Sequence, residues 1–123
     1  MKMKIKMMIV DDSKIIRQMI LDICKKFDGL TVVATAVDGM EAISHFKKLR
    51  PKMITMDLTM PNLDGIGAIK EIIKIDPTVR ILVISALSDQ ETALESISEG
   101  AQGFIYKPFS KEELTEAILG ILN

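Results

Sequence analysis

Histidine, cysteine and tyrosine each occur once in these 123 residues, and tryptophan not at all. One cysteine and one histidine cannot assemble a thiolate or imidazole metal site, and no disulfide can close within the chain, which fits a reducing cytoplasm. Charge of one sign is not in excess either: 16 basic against 17 acidic side chains give a net charge of -1 and a pI near 5.8. That balance leaves no electrostatic footprint for nucleic acid and argues against DNA binding as the direct activity. Long apolar runs are missing as well. Lys2, Lys4 and Lys6 resemble the basic start of an export signal, but the apolar stretch from Met7 to Val10 runs straight into Asp11 and Asp12, too short for export or for a membrane span. No repeat, low-complexity tract or linker divides the chain. At 13.7 kDa it is expected to form one domain over residues 1–123, with no second domain to act upon, so any output must be intermolecular.

What the chain does have is alternation. Short aliphatic runs at 5–10, 31–36, 53–57, 79–85 and 103–106 alternate with amphipathic stretches at 13–27, 38–49, 64–74, 89–99 and 111–122. This is the pattern of strand and helix units wound around a parallel sheet, an α/β fold in which strands are covered on both faces. Several helices carry start signals. Ser88 with Glu91 and Ser110 with Glu113 have capping-box spacing, Asp38 and Asp64 stand where N-caps belong, and Gly29 and Gly100 stand where helices stop. Cys24 falls among Ile20, Ile23 and Phe27, where a small buried residue is expected, and the nine methionines scatter over core and loop positions as packing residues.

Five polar residues follow directly on the apolar runs: Asp11 and Asp12, Asp57, Ser85 and Lys107. In a parallel sheet of order 2-1-3-4-5 the ends of the first and third strands flank the crevice where strand order reverses, which is where such folds bind ligands. Carboxylates crowded there repel one another and raise their pKa values unless a cation enters, and a hard divalent ion such as Mg2+ suits oxygen donors that leave room for water. With such an ion at Asp12 and Asp57, and Asp11 reaching it through water, the free oxygen of Asp57 can act as a nucleophile toward a phosphoryl group. Lys107 then supplies charge and Ser85 a hydroxyl to that group.

These residues carry a resemblance. Asp11-Asp12-Ser13, Met56-Asp57-Leu58-Thr59-Met60-Pro61, Ser85-Ala86 and Tyr106-Lys107-Pro108-Phe109, in this order on alternating elements, resemble the response-regulator receiver domains, most of all the stand-alone chemotaxis type, over residues 4 to 122. The resemblance implies a doubly wound five-stranded sheet of order 2-1-3-4-5 with five helices. It implies Asp57 as phosphoacceptor, Asp11, Asp12, Asp57 and the backbone carbonyl of Thr59 as Mg2+ ligands, Ser85 and Tyr106 as a switch pair, and a cis bond at Lys107-Pro108. The implied partners are a histidine kinase as phosphodonor, a downstream protein such as a flagellar switch component, and a phosphatase. The implied setting is a cytoplasmic monomer, off the membrane and off nucleic acid, that assists its own phosphorylation without being an enzyme.

Other classes share parts of the pattern. A receiver in a phosphorelay outside chemotaxis would keep every residue named. A flavodoxin-like cofactor carrier needs a phosphate loop after the first strand, and here that loop opens with two carboxylates. An aspartyl-phosphate hydrolase needs a second aspartate two residues after its nucleophile, where Thr59 stands. His45, on the flank of the second helical stretch beside Ala42, Phe46 and Leu49, reads as an ordinary surface residue. Asp89, Glu91, Glu95 and Glu99, with Glu112, Glu113 and Glu116, make the expected output face more negative than an acidic motor peptide would favour.

Overall fold

The computed structural model describes residues 4–122. Strands β1 (Ile5–Val10), β2 (Leu30–Ala36), β3 (Met53–Asp57), β4 (Arg80–Ala86) and β5 (Gly103–Lys107) alternate with helices α1 (Lys14–Cys24), α2 (Gly39–Leu49), α3 (Gly65–Ile75), α4 (Gln90–Ser98) and α5 (Lys111–Leu122). All strand pairs are parallel, in the order β2-β1-β3-β4-β5. Strand order thus reverses beside β1 and β3, as the resemblance to receiver domains implies.

Successive residues of the central strands enter opposite cores, because strand side chains alternate. Met7, Ile9, Met53, Leu82 and Ile84 pack under α1 and α5 with Ile20, Cys24, Leu114 and Ile118. Met8, Val10, Ile54, Met56, Ile81 and Val83 pack under α2, α3 and α4 with Phe46, Ile69 and Ile72. Cys24 is 1% exposed, and burial pushes its thiol up to about 12, so it is an inert packing residue.

One polar side chain interrupts the first core. Thr55 lies on β3 between Ile9 and Leu82, fully buried, and its hydroxyl has no hydrogen-bond partner among the described residues. Burying an unpaired hydroxyl is costly, so Thr55→Val, nearly the same shape, is expected to stabilise the fold by about 1 kcal/mol. A urea midpoint that falls instead would show the hydroxyl to be satisfied in solution.

Helix starts follow the sequence signals with one exception. Ser13, Asp38 and Asp64 accept from the amides of Ile16, Glu41 and Gly67, and Ser110 with Glu113 closes a reciprocal capping box at 3.0 and 3.1 Å. The Ser88 and Glu91 box does not form. Leu87–Asp89 makes a 3-10 turn, and α4 begins at Gln90 without a side-chain cap, because Asp89 is engaged elsewhere, as described below. Helix α1 ends at Cys24 rather than at residue 27, since Lys26 and Phe27 turn back onto Ile23 and Cys24 in tighter bonds of 3.2 and 3.0 Å. The stop at Gly100 is complete: with φ of 123°, it lets Ala101 reach the Ser96 carbonyl at 3.0 Å while its own amide bonds to Ile97 at 3.1 Å.

Candidate functional site

Asp11, Asp57 and Lys107 continue the strand positions of Ile9, Thr55 and Ile105, so all three leave the sheet on the α1 and α5 side. Their side chains meet above the carboxyl ends of β1, β3 and β5. The Lys107 ammonium lies 2.9 Å from Asp11 Oδ2 and 3.4 Å from Asp57 Oδ1. Asp11 is 1% and Asp57 4% exposed, while Asp12 stands on the solvent side. One oxygen from each of Asp11, Asp12 and Asp57 falls within 4.8 Å of the others.

Local structure explains why these carboxylates hold their places. Asp11 Oδ1 accepts from the Ser13 amide at 2.8 Å, and its backbone carbonyl accepts from Arg17 at 2.7 Å, tying the strand end to the first turn of α1. Asp57 ends β3, and the loop beyond it is pinned: Leu58 O takes the Gly65 amide at 3.0 Å, Leu63 O takes the Gly39 amide at 2.8 Å, and Asn62, in the left-handed region at φ 68°, donates to Asp38 at 2.7 Å. The Lys107-Pro108 bond is cis.

The electrostatics differ from the sequence expectation in emphasis. Asp57 is raised to about 6, first by burial and second by the charge of Asp11, with Lys107 and the Thr59 amide opposing. Mutual repulsion alone was the expected cause; desolvation is the larger one. For Lys107, burial disfavours the charged form, but its hydrogen bond with Asp11 and the charges of Asp11 and Asp57 outweigh that and raise it. With all groups ionised, three carboxylates face one ammonium, leaving two negative charges on hard oxygen donors. That donor set fits a divalent cation of the Mg2+ kind. Among the described residues no hydrogen bond reaches the Thr59 carbonyl, leaving it available as a further donor.

Ser85 is also at the end of its strand, 1% exposed and in register with Tyr106. Its hydroxyl donates to the Ala86 carbonyl at 3.3 Å rather than to any of the carboxylates. Tyr106 is half-buried, and its ring meets Phe104 edge-on, with centroids 5.4 Å apart. Phe104 was not singled out from the sequence. The signal was present, since residues two apart on a strand share a face. A second unread contact joins the site to α4: Thr59 Oγ1 lies 3.1 Å from Asp89 Oδ2, which is why Asp89 does not cap its helix.

Comparison with known proteins agrees with this geometry. The model of the response regulator receiver domain matches residues 7–119. The chain belongs to this family. It is 45% identical to the chemotaxis protein CheY of Thermotoga maritima, covering 92% of this chain and 93% of that protein. To the CheY of Bacillus subtilis it is 44% identical, covering 96% and 98%. Among solved structures it is similar to the CheY in a CheX-CheY-BeF3-Mg+2 complex from Borrelia burgdorferi, with a TM-score of 0.91 at 28% identity over 98% of this receiver and 91% of that chain. Receiver domains of the CheY kind are signalling switches rather than conventional enzymes. No helix among the described residues is long and apolar enough to cross a membrane.

Proposed function

We propose that this receiver is a stand-alone response regulator of the chemotaxis kind, phosphorylated on Asp57 by a histidine kinase in the cytoplasm. The observation that carries this reading is the buried Asp57 carboxylate, held against Lys107 at 3.4 Å and beside Asp11 and Asp12 at the strand-order reversal. An oxygen of Asp57 attacks the phosphorus of a phosphohistidine; the new O–P bond forms as the N–P bond breaks, and the imidazole leaves with the electron pair and takes up a proton. Asp11, Asp12, Asp57 and the Thr59 carbonyl would hold Mg2+, which when bound supplies positive charge to the phosphoryl oxygens. Lys107 brings a second positive charge and, by leaving its partial pairing with Asp57, follows the negative charge outward onto the new group.

The transferred group adds nearly two negative charges and three acceptor oxygens. Ser85 follows Ile84, the register partner of Asp57, and its hydroxyl is free to turn toward them because its present bond to Ala86 O is weak at 3.3 Å. Its movement opens space beside Tyr106, its register partner, and Phe104 follows because the two rings are in contact. The surface of α4, β5 and α5 is then remodelled for a downstream protein. The chain acts as a monomer, and a phosphatase or its own slow hydrolysis resets it.

Beryllofluoride with Mg2+ is expected to shift the resonances of Ser85, Phe104 and Tyr106, and Asp57→Ala is expected to abolish the response. Because Tyr106 is the only tyrosine and tryptophan is absent, intrinsic tyrosine fluorescence reads this position alone. Spectra that stay unchanged in the wild type, or an equal response from Asp57→Ala, would sink the reading.

A further inference from the structure

We infer that the outward face of α4 docks a cationic amphipathic helix, a partner class opposite in charge to an acidic motor peptide. The inference deepens the switch reading and rests on it only for the timing of docking. Three of the exposed large apolar side chains stand on this one element and the turn before it: Leu87 at 60%, Leu94 at 62% and Ile97 at 40%. Leu94 and Ile97 are one helical turn apart and make a ridge. Glu91 and Glu95, four residues apart and both exposed, line the ridge along one side. A depression of about 490 Å³ with Ser88, Asp89 and Glu91 in its wall opens at the start of the helix, a polar seat for a lysine or arginine head group.

The charge of this face is uncompensated. From Ile81 to Tyr106 the sequence has no lysine, arginine or histidine, while Asp89, Glu91, Glu95 and Glu99 fall within that stretch. Among the described residues no cation pairs with Glu91, Glu95 or Glu99. Of the basic side chains, Lys14, Arg17, Lys25 and Lys26 lie in and just after α1 and Lys47, Lys48 and Arg50 around the end of α2. The elements flanking α4 carry Lys70 and Lys74 on α3, Lys107 at the end of β5 and Lys111 at the start of α5, and among the described residues none of them pairs with an acid of α4. Exposed apolar side chains bordered by one sign of charge favour a ligand that pairs leucines with the opposite sign at helical spacing. A like-charged segment meets repulsion from both glutamates, which selects against it.

The test uses the full chain with Mg2+ and beryllofluoride and two synthetic helical peptides of about 18 residues, one built from leucine and lysine and one from leucine and glutamate. Amide shifts should concentrate in residues 87–99 with the lysine peptide, and the glutamate peptide should give none. Glu91→Lys with Glu95→Lys should weaken binding by at least about tenfold, since each reversal replaces an attraction by a repulsion of similar size. Leu94→Ser should weaken it with every charge intact, and Glu71→Lys, an exposed acid on α3, should change nothing. Shifts centred outside α4, equal binding of both peptides, or indifference to the paired reversal would overturn the inference. Equal binding by Asp57→Ala and by the beryllofluoride form would uphold the docking face while refuting its control by Asp57.

Discussion

Asp57→Asn is expected to stabilise the metal-free protein by about 1–2 kcal/mol near neutral pH while abolishing phosphoryl transfer. Unfolded, the Asp57 carboxyl titrates near the ordinary value of about 4; folded, it is held at about 6 by burial first and Asp11 second. A carboxyl raised on folding takes up a proton in the native state between those values. Stability is therefore lost as pH climbs from about 4 through 6, and above that the loss is constant. The full linkage of about 1.4 kcal/mol per pKa unit is an upper bound for the substitution, because the asparagine amide is itself a polar group buried at the same place. Asparagine keeps the shape and removes the charge, and Lys107 retains Asp11 at 2.9 Å. Urea unfolding in chelator should give equal stabilities for the two proteins below pH 4 and a gap that widens to pH 6. Millimolar Mg2+ should close that gap by stabilising the wild type selectively. A gap that is largest in acid would refute the assignment of Asp57 as the strained carboxylate.

Gly65→Ala is expected to destabilise the fold by about 3 kcal/mol and to weaken beryllofluoride binding with it. On propensity alone the substitution should help, because Gly65 opens α3 and alanine gains about 1 kcal/mol over glycine in a helix. Packing decides otherwise. A Cβ at Gly65 would run into the Asp57 carbonyl oxygen and come within 2.7 Å of the Leu58 Cα and 2.9 Å of its Cδ2. Two of these obstacles are backbone and cannot rotate away, so either α3 lifts or the end of β3 moves, and the second displaces Asp57 itself. The useful comparison is Gly120→Ala in α5, where nothing lies within 4 Å of the added carbon; it should be neutral or stabilising. A thermal midpoint for Gly65→Ala at or above that of the wild type would show that the helix can pivot freely.

Much of this was legible in the residues. The short continuous aliphatic runs and the Asp38, Asp64 and Ser110 caps place the alternating elements, and acids ending β1 and β3 converge because parallel strands share their carboxyl ends. Three things were not. The length of α1 depended on a competition between continuing the helix and tightening the turn at Lys26 and Phe27, and local composition does not decide that. The Ser88 and Glu91 spacing was a valid capping signal, yet Asp89 found Thr59 across 30 positions of sequence, a contact no local pattern encodes. The burial share of Asp57's raised pKa was invisible because it comes from how deeply the end of β3 is buried in the folded chain, where Asp57 is left 4% exposed. The role of Phe104 was legible: it stands two places before Tyr106 with only Ile105 between them, so the two rings share one face of the strand.

The four fully buried methionines of β1 and β3 divide evenly, Met7 and Met53 facing one side of the sheet and Met8 and Met56 the other. Selectively 13C-labelled ε-methyl groups would therefore give two reporters above the sheet and two below it, with Met60, packed in the same core as Met8 and Met56, as a fifth. A signal entering at Asp57 and leaving through α4 should perturb the Met8 and Met56 peaks while leaving Met7 and Met53 still. The chain thus carries its own built-in spectroscopic differential, able to tell a one-sided rearrangement from a motion of the whole molecule.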